Sequence, residues 1–530
     1  MTQIDRLTRL YSAGKLDRRE FMQGAVAAGL TIAGATSIGA SAAAAAPKRG
    51  GTVRVGLVGA STTASHDPAT YTDIFTELGM TGGVHNNLAE IDANGNAVPE
   101  LAESFESSLD AKTWTIRIRK GVEFHNAKSL TAEDAVASLN HHLGEESKSP
   151  AKPLFSDVES IEAVDDGTMV IKLTSGNADF PYVLADYHLP IMPSRDGKLD
   201  WADGIGAGGY VLKQVDWGVR MQLERNPNYW KGDTRSHFDA AELVAISDAT
   251  ARQTALMTGS VDVINRVDPL TVRLLERNPD IEIDNVTGNQ HFSIPMDTTV
   301  APFDNVDVRL ALKHAIDREG LVQKVLNGFG TPANDHPIGP GQRYFSKDLE
   351  QRAFDLDKAK FHLKKAGLDS LNVDLSAAET AFSGAVNTAL LYKDSAKAAG
   401  ININVIREPN DGYWSNVWLK KPWCTSFWGG RPTADWMFTL AYAAGGAWNE
   451  THWSNERFMT LLLEARAELD QTRRADMYGE MQAIVRDDGG AVIPMYANYV
   501  DAHTKKLAHG KLASNFELDG WKILDRWWFT

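Results

Sequence analysis

The chain has 530 residues, a net charge of −15 and a single cysteine, Cys424. That length accommodates two or three domains, and the acidity disfavours nucleic acid and anionic membrane surfaces as partners. One cysteine excludes an intrachain disulfide and a cysteine-based zinc cluster; set in the aromatic run Trp423 to Trp428, Cys424 reads as a buried, inert thiol.

The chain opens on a leader. Asp17-Arg18-Arg19-Glu20-Phe21-Met22-Gln23 precedes an uncharged run, rich in Ala and Gly, from Gly24 to Ala46. Twin arginines ahead of a weakly apolar segment match a twin-arginine (Tat) export signal. The run is long enough to span a membrane, but Gly29, Gly34 and Gly39 keep its hydropathy low, and Ala42-x-Ala44 or Ala43-x-Ala45 offers a small-residue cleavage site. The first 46 residues hold five basic and three acidic side chains, so the remainder carries −15 − 2, about −17. The expected mature protein starts between Ala44 and Pro47 and is free in the periplasm. With no cysteine near the cleavage region, a lipid anchor is not expected.

The first mature strand is expected at Gly51 to Leu57, followed by a polar loop from Ser61 that ends in His66-Asp67-Pro68. Pro99 to Phe105 leads into Trp114-Thr115-Ile116-Arg117-Ile118-Arg119-Lys120-Gly121-Val122-Glu123-Phe124-His125-Asn126. Here apolar Trp114, Ile116 and Ile118 alternate with polar residues, the period of a half-buried strand. Thr131-Ala132-Glu133-Asp134 has capping-box spacing and starts a helix. As a string, this block resembles the signature of the family 5 solute-binding proteins, the extracytoplasmic receptors of oligopeptide, dipeptide and nickel ABC importers. Their pattern runs aromatic-Thr-apolar-x-Leu-Arg-x-Gly-Val-x-Phe-His, then Leu-Thr-Ala-x-Asp.

Further along, Thr168 to Leu173 reads as a strand. Gly204-Ile205-Gly206-Ala207-Gly208-Gly209 formally matches a dinucleotide fingerprint, but a strand at Tyr210 to Lys213 follows it where a helix would be needed. It resembles instead the family's glycine-rich return to the first domain, and Glu224-Arg225-Asn226-Pro227-Asn228-Tyr229-Trp230 resembles the family's next marker. Ala251 to Thr258 is expected as a helix closed by Gly259. From Pro302 the pattern changes: Leu310, Ala311, Ala315, Leu321, Val322 and Val325 fall at helical spacing, ended by Gly328. Helices at Asp355 to Ala366 and Ala385 to Ala399 alternate with strands at Leu371 to Leu375 and Ile401 to Ile406, which predicts an α/β domain with a largely parallel sheet. Two more helices, Ser454 to Leu469 and Thr472 to Val485, precede a last strand at Ala491 to Tyr496.

The resemblance covers essentially the whole mature chain. It implies an α/β, two-lobed periplasmic binding protein fold of type II, in the large cluster C form with an extra domain and a hinged ligand cleft. It divides the chain into the Tat signal peptide (1–46), a discontinuous domain I (47–92, 206–300 and 489–530), domain II (93–205) and domain III (301–488). It implies a monomer that captures a small solute, a short peptide or an opine-like and carboxylate-bearing conjugate, and delivers it to the permease and ATPase subunits of an ABC importer. A nickel- or haem-type receptor of the same family, or a periplasmic hydrolase, is the alternative.

No catalytic residue, cofactor or metal site is indicated by motif. Fourteen histidines include no H-E-x-x-H or C-x-x-H, the adjacent His141 and His142 diverge by about 100° on a helix, and there is no G-x-S-x-G elbow or Walker A sequence. Glu145-Glu146 and Asp487-Asp488 read as solvated helix-end charges. For ligand binding, the family's block of an upstream Trp and then Trp-x-x-Asp falls on Trp414 and Trp428-Gly429-Gly430-Arg431. In relatives that Asp receives the ligand's ammonium; Arg431 reverses the charge, and Asp435 is the one carboxylate close by in sequence. The loop Tyr71-Thr72-Asp73 and His291 complete the candidate set. Arg431 is expected to meet a ligand carboxylate or to pair internally with Asp435.

Overall fold

The computed structural model describes residues 47–144, 147, 149–446 and 448–530. The leader and the Glu145-Glu146 pair lie outside the described residues.

Strand β1 (Thr52–Leu57) buries Val53, Val55 and Leu57 in alternation. Helix α1 (Ile74–Gly79) starts at Asp73, whose carboxylate accepts the Thr76 N–H at 2.9 Å. Strands β2 (Ala102–Ser107), β3 (Thr113–Ile118), β4 (Val158–Asp165) and β5 (Thr168–Leu173) form a four-stranded antiparallel sheet in the order β2-β3-β5-β4. β3 turns Trp114, Ile116 and Ile118 inward and Arg117 outward, as its period-two pattern requires. Helix α2 (Ala132–Asn140) opens on the Thr131–Asp134 capping box and packs on this sheet. Together with the short helix α3 (Phe180–Val183), these elements enclose one apolar core drawn from Leu88 to Ala207.

Residues 204–209 carry the chain out of that core directly into β6 (Tyr210–Asp216), with no intervening helix. Gly206 and Gly208 lie against the backbone of Val84, and a Cβ at either would collide with it. The glycines therefore serve a close backbone approach, fastened by the His125 N–H on the Gly206 carbonyl at 2.9 Å.

Strands β7 (Arg220–Arg225) and β8 (Ala240–Ala245), helix α4 (Ala249–Met257), strand β9 (Val263–Ile264) and the long strand β10 (Ile281–Pro295) follow. The run from Leu310 to Val325, expected as one helix, is two: α5 (Val306–His314) and α6 (Arg318–Val325). The break falls at Asp317, whose carboxylate accepts the Gly320 N–H at 2.9 Å; an N-cap residue inside an apolar periodicity restarts the helix there. Then come β11 (Gly330–Pro332), α7 (Leu356–Lys365), β12 (Leu371–Ala377), α8 (Ala385–Ala396), β13 (Ile401–Arg407), β14 (Ser426–Trp428), α9 (Ala434–Tyr442), α10 (Glu456–Ala467), α11 (Gln471–Asp488) and the long strand β15 (Ala491–Thr504). β12 and β13 pair in parallel.

A nine-stranded sheet runs β6-β7-β8-β1-β9-β15-β10-β14, with β11 beside β15. β10 and β15 pair antiparallel over most of their length, from Ile281 opposite Thr504 to Pro295 opposite Ala491. At one end Ile281, Val500 and Ala502 join the apolar cluster of Leu256, Val261 and Ile264 beside α4 and β9; at the other the strands enter the apolar clusters that hold Ile294, Val492 and Met495, and Ile493 and Tyr496. Two crossing strands thus connect the body of the molecule to the region after residue 300. No helix of the described residues is long and apolar enough to cross a membrane.

Candidate functional site

β14 ends the large sheet. It pairs antiparallel with β10, placing His291 opposite Trp428, Phe292 opposite Phe427 and Ser293 opposite Ser426. A buried carboxylate pins this register. Glu450 accepts from Ser293 Oγ at 2.8 Å and Trp428 Nε1 at 3.0 Å on one oxygen, and from Trp418 Nε1 at 2.7 Å and Ser426 Oγ at 2.9 Å on the other. Burial raises its pKa while the four donors oppose the rise. Glu450 therefore holds the Trp428 ring without a cation.

After Trp428, the chain turns through Gly429 and Gly430. A Cβ on Gly430 would run into the Asn289 side chain, so only glycine lets the turn close on β10. Asn289 Nδ2 donates to the Arg431 carbonyl at 3.1 Å, and the Tyr499 hydroxyl donates to Asn289 Oδ1 at 2.9 Å. Gln342 Nε2 also reaches the Arg431 carbonyl, at 3.2 Å. The backbone of Arg431 is thus clamped by both crossing strands.

Its guanidinium is not clamped. Nη1 donates to the carbonyls of Gly429 at 2.9 Å and Gly430 at 3.2 Å, and the group lies 5.6 Å from the Trp428 ring centre. Among the described residues no carboxylate forms an ion pair with it. Burial disfavours its charge, and Tyr187, Asp186 and Tyr499 favour it; an arginine keeps its proton under such conditions. Asp435, the expected internal partner, faces elsewhere: its carboxylate meets Arg466 Nε at 3.2 Å. The Arg431–Asp435 pair is not formed.

Near Arg431 stands the segment Asp186-Tyr187-His188, whose Tyr187 packs against the apolar cluster of β1 and α1. Burial raises the Tyr187 phenol's pKa most, Glu77 and Asp186 add to the rise, and Arg431 opposes it, so Glu77 and Arg431 act on the same ring. Glu77, buried on α1, has no ion pair or side-chain hydrogen bond among the described residues. Burial pushes its carboxyl well above the usual range, Asp73, Asp186 and Glu517 add, and Arg266, itself paired with Glu517, opposes. Tyr187 also packs edge-on against Trp521 at 5.1 Å and Phe516 at 6.1 Å. A half-buried guanidinium, a buried carboxyl group and aromatic side chains thus stand around Tyr187.

The remaining candidates divide. Tyr71 is fully buried, and its carbonyl accepts from His188 Nε2 at 2.9 Å, so the 71–73 loop does touch the facing core. Asp73 is engaged in capping α1, and Thr72 is exposed. His291 is buried with neither ring nitrogen hydrogen-bonded; burial lowers its pKa to about 3, with His336 and Arg431 adding to the effect. Trp414, 39% exposed, stands edge-on to Phe427 and Trp418 at 5.8 Å each. It shares an aromatic wall with Trp428, because Trp448 bridges Trp418 and Trp428 at 6.3 and 6.0 Å. His141 and His142 turn to separate partners, Asp67 and Ser149. Asp487 and Asp488 are engaged by Arg352 and by Arg309, Trp453 and Asn455.

Sequence reasoning missed Glu77, Tyr187 and Glu450. Each is a lone residue whose role arises from a long-range neighbour. It also missed a buried bond between the two faces: Arg474 on α11 donates to both oxygens of Asp179, the residue before α3, at 2.7 Å each. The Ala178 N–H reaches the Arg466 carbonyl at 2.7 Å, and Arg343 Nη1 reaches the Tyr182 hydroxyl at 2.9 Å. The second core and the region after residue 300 touch along this seam.

Comparison with known proteins agrees with this architecture. The profile of the bacterial extracellular solute-binding proteins, family 5 Middle, matches residues 96–450. The chain is 30% identical over 312 residues to the haem-binding protein A of Haemophilus influenzae, a match spanning 54% of this chain and 56% of that protein. It is 24% identical over 508 residues to the di/tripeptide-binding protein 1 of Pseudomonas aeruginosa, spanning 86% and 91%. Among solved structures, the ABC transporter substrate-binding protein CtaP of Listeria monocytogenes superposes with a TM-score of 0.80 at 21% identity, covering 91% of this chain and all (100%) of that one.

Proposed function

The chain belongs to the bacterial extracellular solute-binding proteins of family 5, and from that premise we propose that it captures a small solute bearing an anionic group, held between the two faces of the cleft by Arg431. It is a substrate-binding protein of the ABC-importer type, with the two-lobed fold of that family. The observation that carries the reading of the ligand is the guanidinium of Arg431, half-buried, its charge disfavoured by its surroundings, and without a carboxylate partner among the described residues. A buried charge is costly unless paired, and arginine forms bidentate bonds to carboxylate or phosphate. Glu77, on the other side of Tyr187, suits a cationic group. A zwitterionic solute, an amino-acid conjugate or short peptide, offers both, and the exposed edge of Trp414 suits an apolar portion.

In this reading, Tyr71, Thr72 and Asp73 approach the solute from domain I, His291 and Trp428 form the floor, and Gly429 gives backbone access. Asp435 acts through Arg466 rather than on the solute. The division into domains I, II and III is part of the proposal; the separate apolar core drawn from Leu88 to Ala207 and the two crossing strands support it. Export by the twin-arginine leader, release into the periplasm without a lipid anchor, a monomeric state and the absence of catalysis complete the proposal. The haem-binding relative supports a second reading, a haem receptor, for which the buried unpartnered nitrogens of His291 are the specific observation.

Mass spectrometry of solute released from protein purified under native conditions tests the assignment. The expected result is an intact small molecule with a carboxylate or phosphate. A solute without an anionic group overturns the role of Arg431, haem replaces the first reading with the second, and recovery of only cleaved products would make the protein a hydrolase.

A further inference from the structure

Away from the cleft, three side chains converge where the crossing strands enter the body of the molecule. Asp284 lies on β10, His503 on β15 and His509 on the segment beyond it. One ligand atom from each falls within 4.8 Å of the others. Asp284 Oδ2 is 3.5 Å from His503 Nε2, and Oδ1 is 3.3 Å from His509 Nε2.

Both imidazoles are oriented by their other nitrogen. His503 Nδ1 donates to the Thr504 carbonyl at 2.9 Å and His509 Nδ1 to the Gly510 carbonyl at 2.8 Å. With the proton held on Nδ1, Nε2 becomes a ligand once an ion displaces any proton it shares with the carboxylate, the arrangement by which second-shell carbonyls prepare histidine for a metal. Trp527 fixes the rings further, stacked on His509 at 4.6 Å and edge-on to His503 at 5.0 Å.

Two of the convergent groups are buried, and His509 is 19% exposed. The His503 and Asp284 side chains are 1% and 8% exposed, and neither His503 Nε2 nor Asp284 Oδ2 has a hydrogen-bond partner. Neighbouring carboxylates differ. Asp501 accepts the N–H groups of Arg266 at 3.2 Å and Leu518 at 2.7 Å, and Asp519 accepts from Ala513 N–H at 2.7 Å and Trp527 Nε1 at 3.2 Å. The N···O separations of 3.3 and 3.5 Å are long for charge-assisted hydrogen bonds, which run at about 2.7–2.9 Å. Each is near the edge of a tetrahedron, about 3.3–3.4 Å, around an ion with bonds of about 2.0–2.1 Å; the two involve different oxygens of Asp284, and one atom from each residue comes together within 4.8 Å, so a bound ion draws the three side chains inward.

We propose that Asp284, His503 and His509 form a binding site for a divalent transition-metal ion of the zinc class, with solvent supplying a fourth ligand. Two imidazoles and one carboxylate favour zinc, cobalt or nickel over magnesium or calcium, which take oxygen donors. His503 is four residues along β15 from Tyr499, about 13 Å, so the ion is separate from the solute cleft. It joins the C-terminal segment, through His509, to both crossing strands. Its role is to fasten the base on which those strands turn.

The test uses the full chain freed of metal with a chelator and then dialysed. Titration with cobalt chloride is expected to give one equivalent of bound Co2+ with the visible absorption of a tetrahedral ion, displaced by zinc chloride. Zinc, but not magnesium, raises the melting temperature. His509→Ala weakens Co2+ binding by about tenfold or more and abolishes the zinc-dependent melting shift. Asp284→Asn, which keeps shape and hydrogen bonding, gives the same result without removing a ring from the Trp527 stack. Absence of stoichiometric Co2+ binding by the unmodified chain overturns the site and leaves a histidine–aspartate cluster. Equal binding by both variants and the unmodified chain also overturns it, placing the ion on other histidines.

Discussion

Arg474, fully buried, and Arg431, half-buried, both belong to the region after residue 300 and both face residues of the 179–187 stretch, yet they are treated oppositely. Arg474 is saturated: Asp179 takes two of its N–H groups across the seam, and the Ala465 carbonyl at 3.0 Å and the Tyr344 and Tyr478 hydroxyls take others. Arg431 has two backbone carbonyls, an aromatic face and no carboxylate. A buried cation without an anion is stable only where one arrives with something else. The first arginine therefore holds the two faces together, and the second is the one we propose receives what is held between them.

The comparison breaks most visibly at Asp179. Asp179→Ala leaves Arg474 uncompensated in the closed arrangement, at a cost of about 3–5 kcal/mol. The expected outcome is a larger radius of gyration by small-angle scattering at saturating solute, with weaker solute binding. A curve identical to that of the unmodified chain would mean that the seam does not control closure. Gly430→Ala comes next. Its Cβ meets Asn289, so the turn presenting Arg431 must move; overpacking of this kind costs about 1–3 kcal/mol. A lower melting temperature and a lower affinity are expected together, while the corresponding change at exposed Gly232 should affect affinity little.

Acid sharpens the contrast more gently. Burial lowers His291 to about 3, and His85 and His336 likewise to about 3. Each stays neutral when folded and takes a proton when unfolded. Their contribution is full above the ordinary value of 6.5 and is lost as pH falls from 6.5 toward 3, by about 1.4 kcal/mol per pH unit for each group. His291→Gln is expected to reduce the slope of denaturant stability against pH by about one proton in that window. An unchanged slope would place His291 protonated in the folded state, beside a cation it cannot tolerate.

The legibility of this molecule follows the range of the interactions. Strand β3, the Thr131–Asp134 cap and the helices at 356–365 and 471–488 were readable because periodicity and capping are local. The split between α5 and α6 was readable too, at Asp317, but the apolar spacing on either side masked it. The cleft was half readable. Trp428 and Arg431 stand in a block that resembles a known one, and the charge reversal at Arg431 showed against that background. Whether Asp435 neutralised it depended on Arg466, which lies on another helix. Glu77 and Tyr187 carry no local signature, since burial and a facing residue from another core give them their character. The same holds for Asp284, more than two hundred residues before His503 and His509 and brought beside His503 by strand pairing.

Arg431 is proposed to receive an anion from the solute. Calorimetric titration of the solute released from the native protein, into the unmodified chain and into Arg431→Met, tests this most directly. Loss of about 2–5 kcal/mol of binding free energy, with a melting temperature unchanged or raised in the absence of solute, is the predicted result. Equal affinities, with a melting temperature lowered by the substitution, would contradict it and make Arg431 a part of the scaffold.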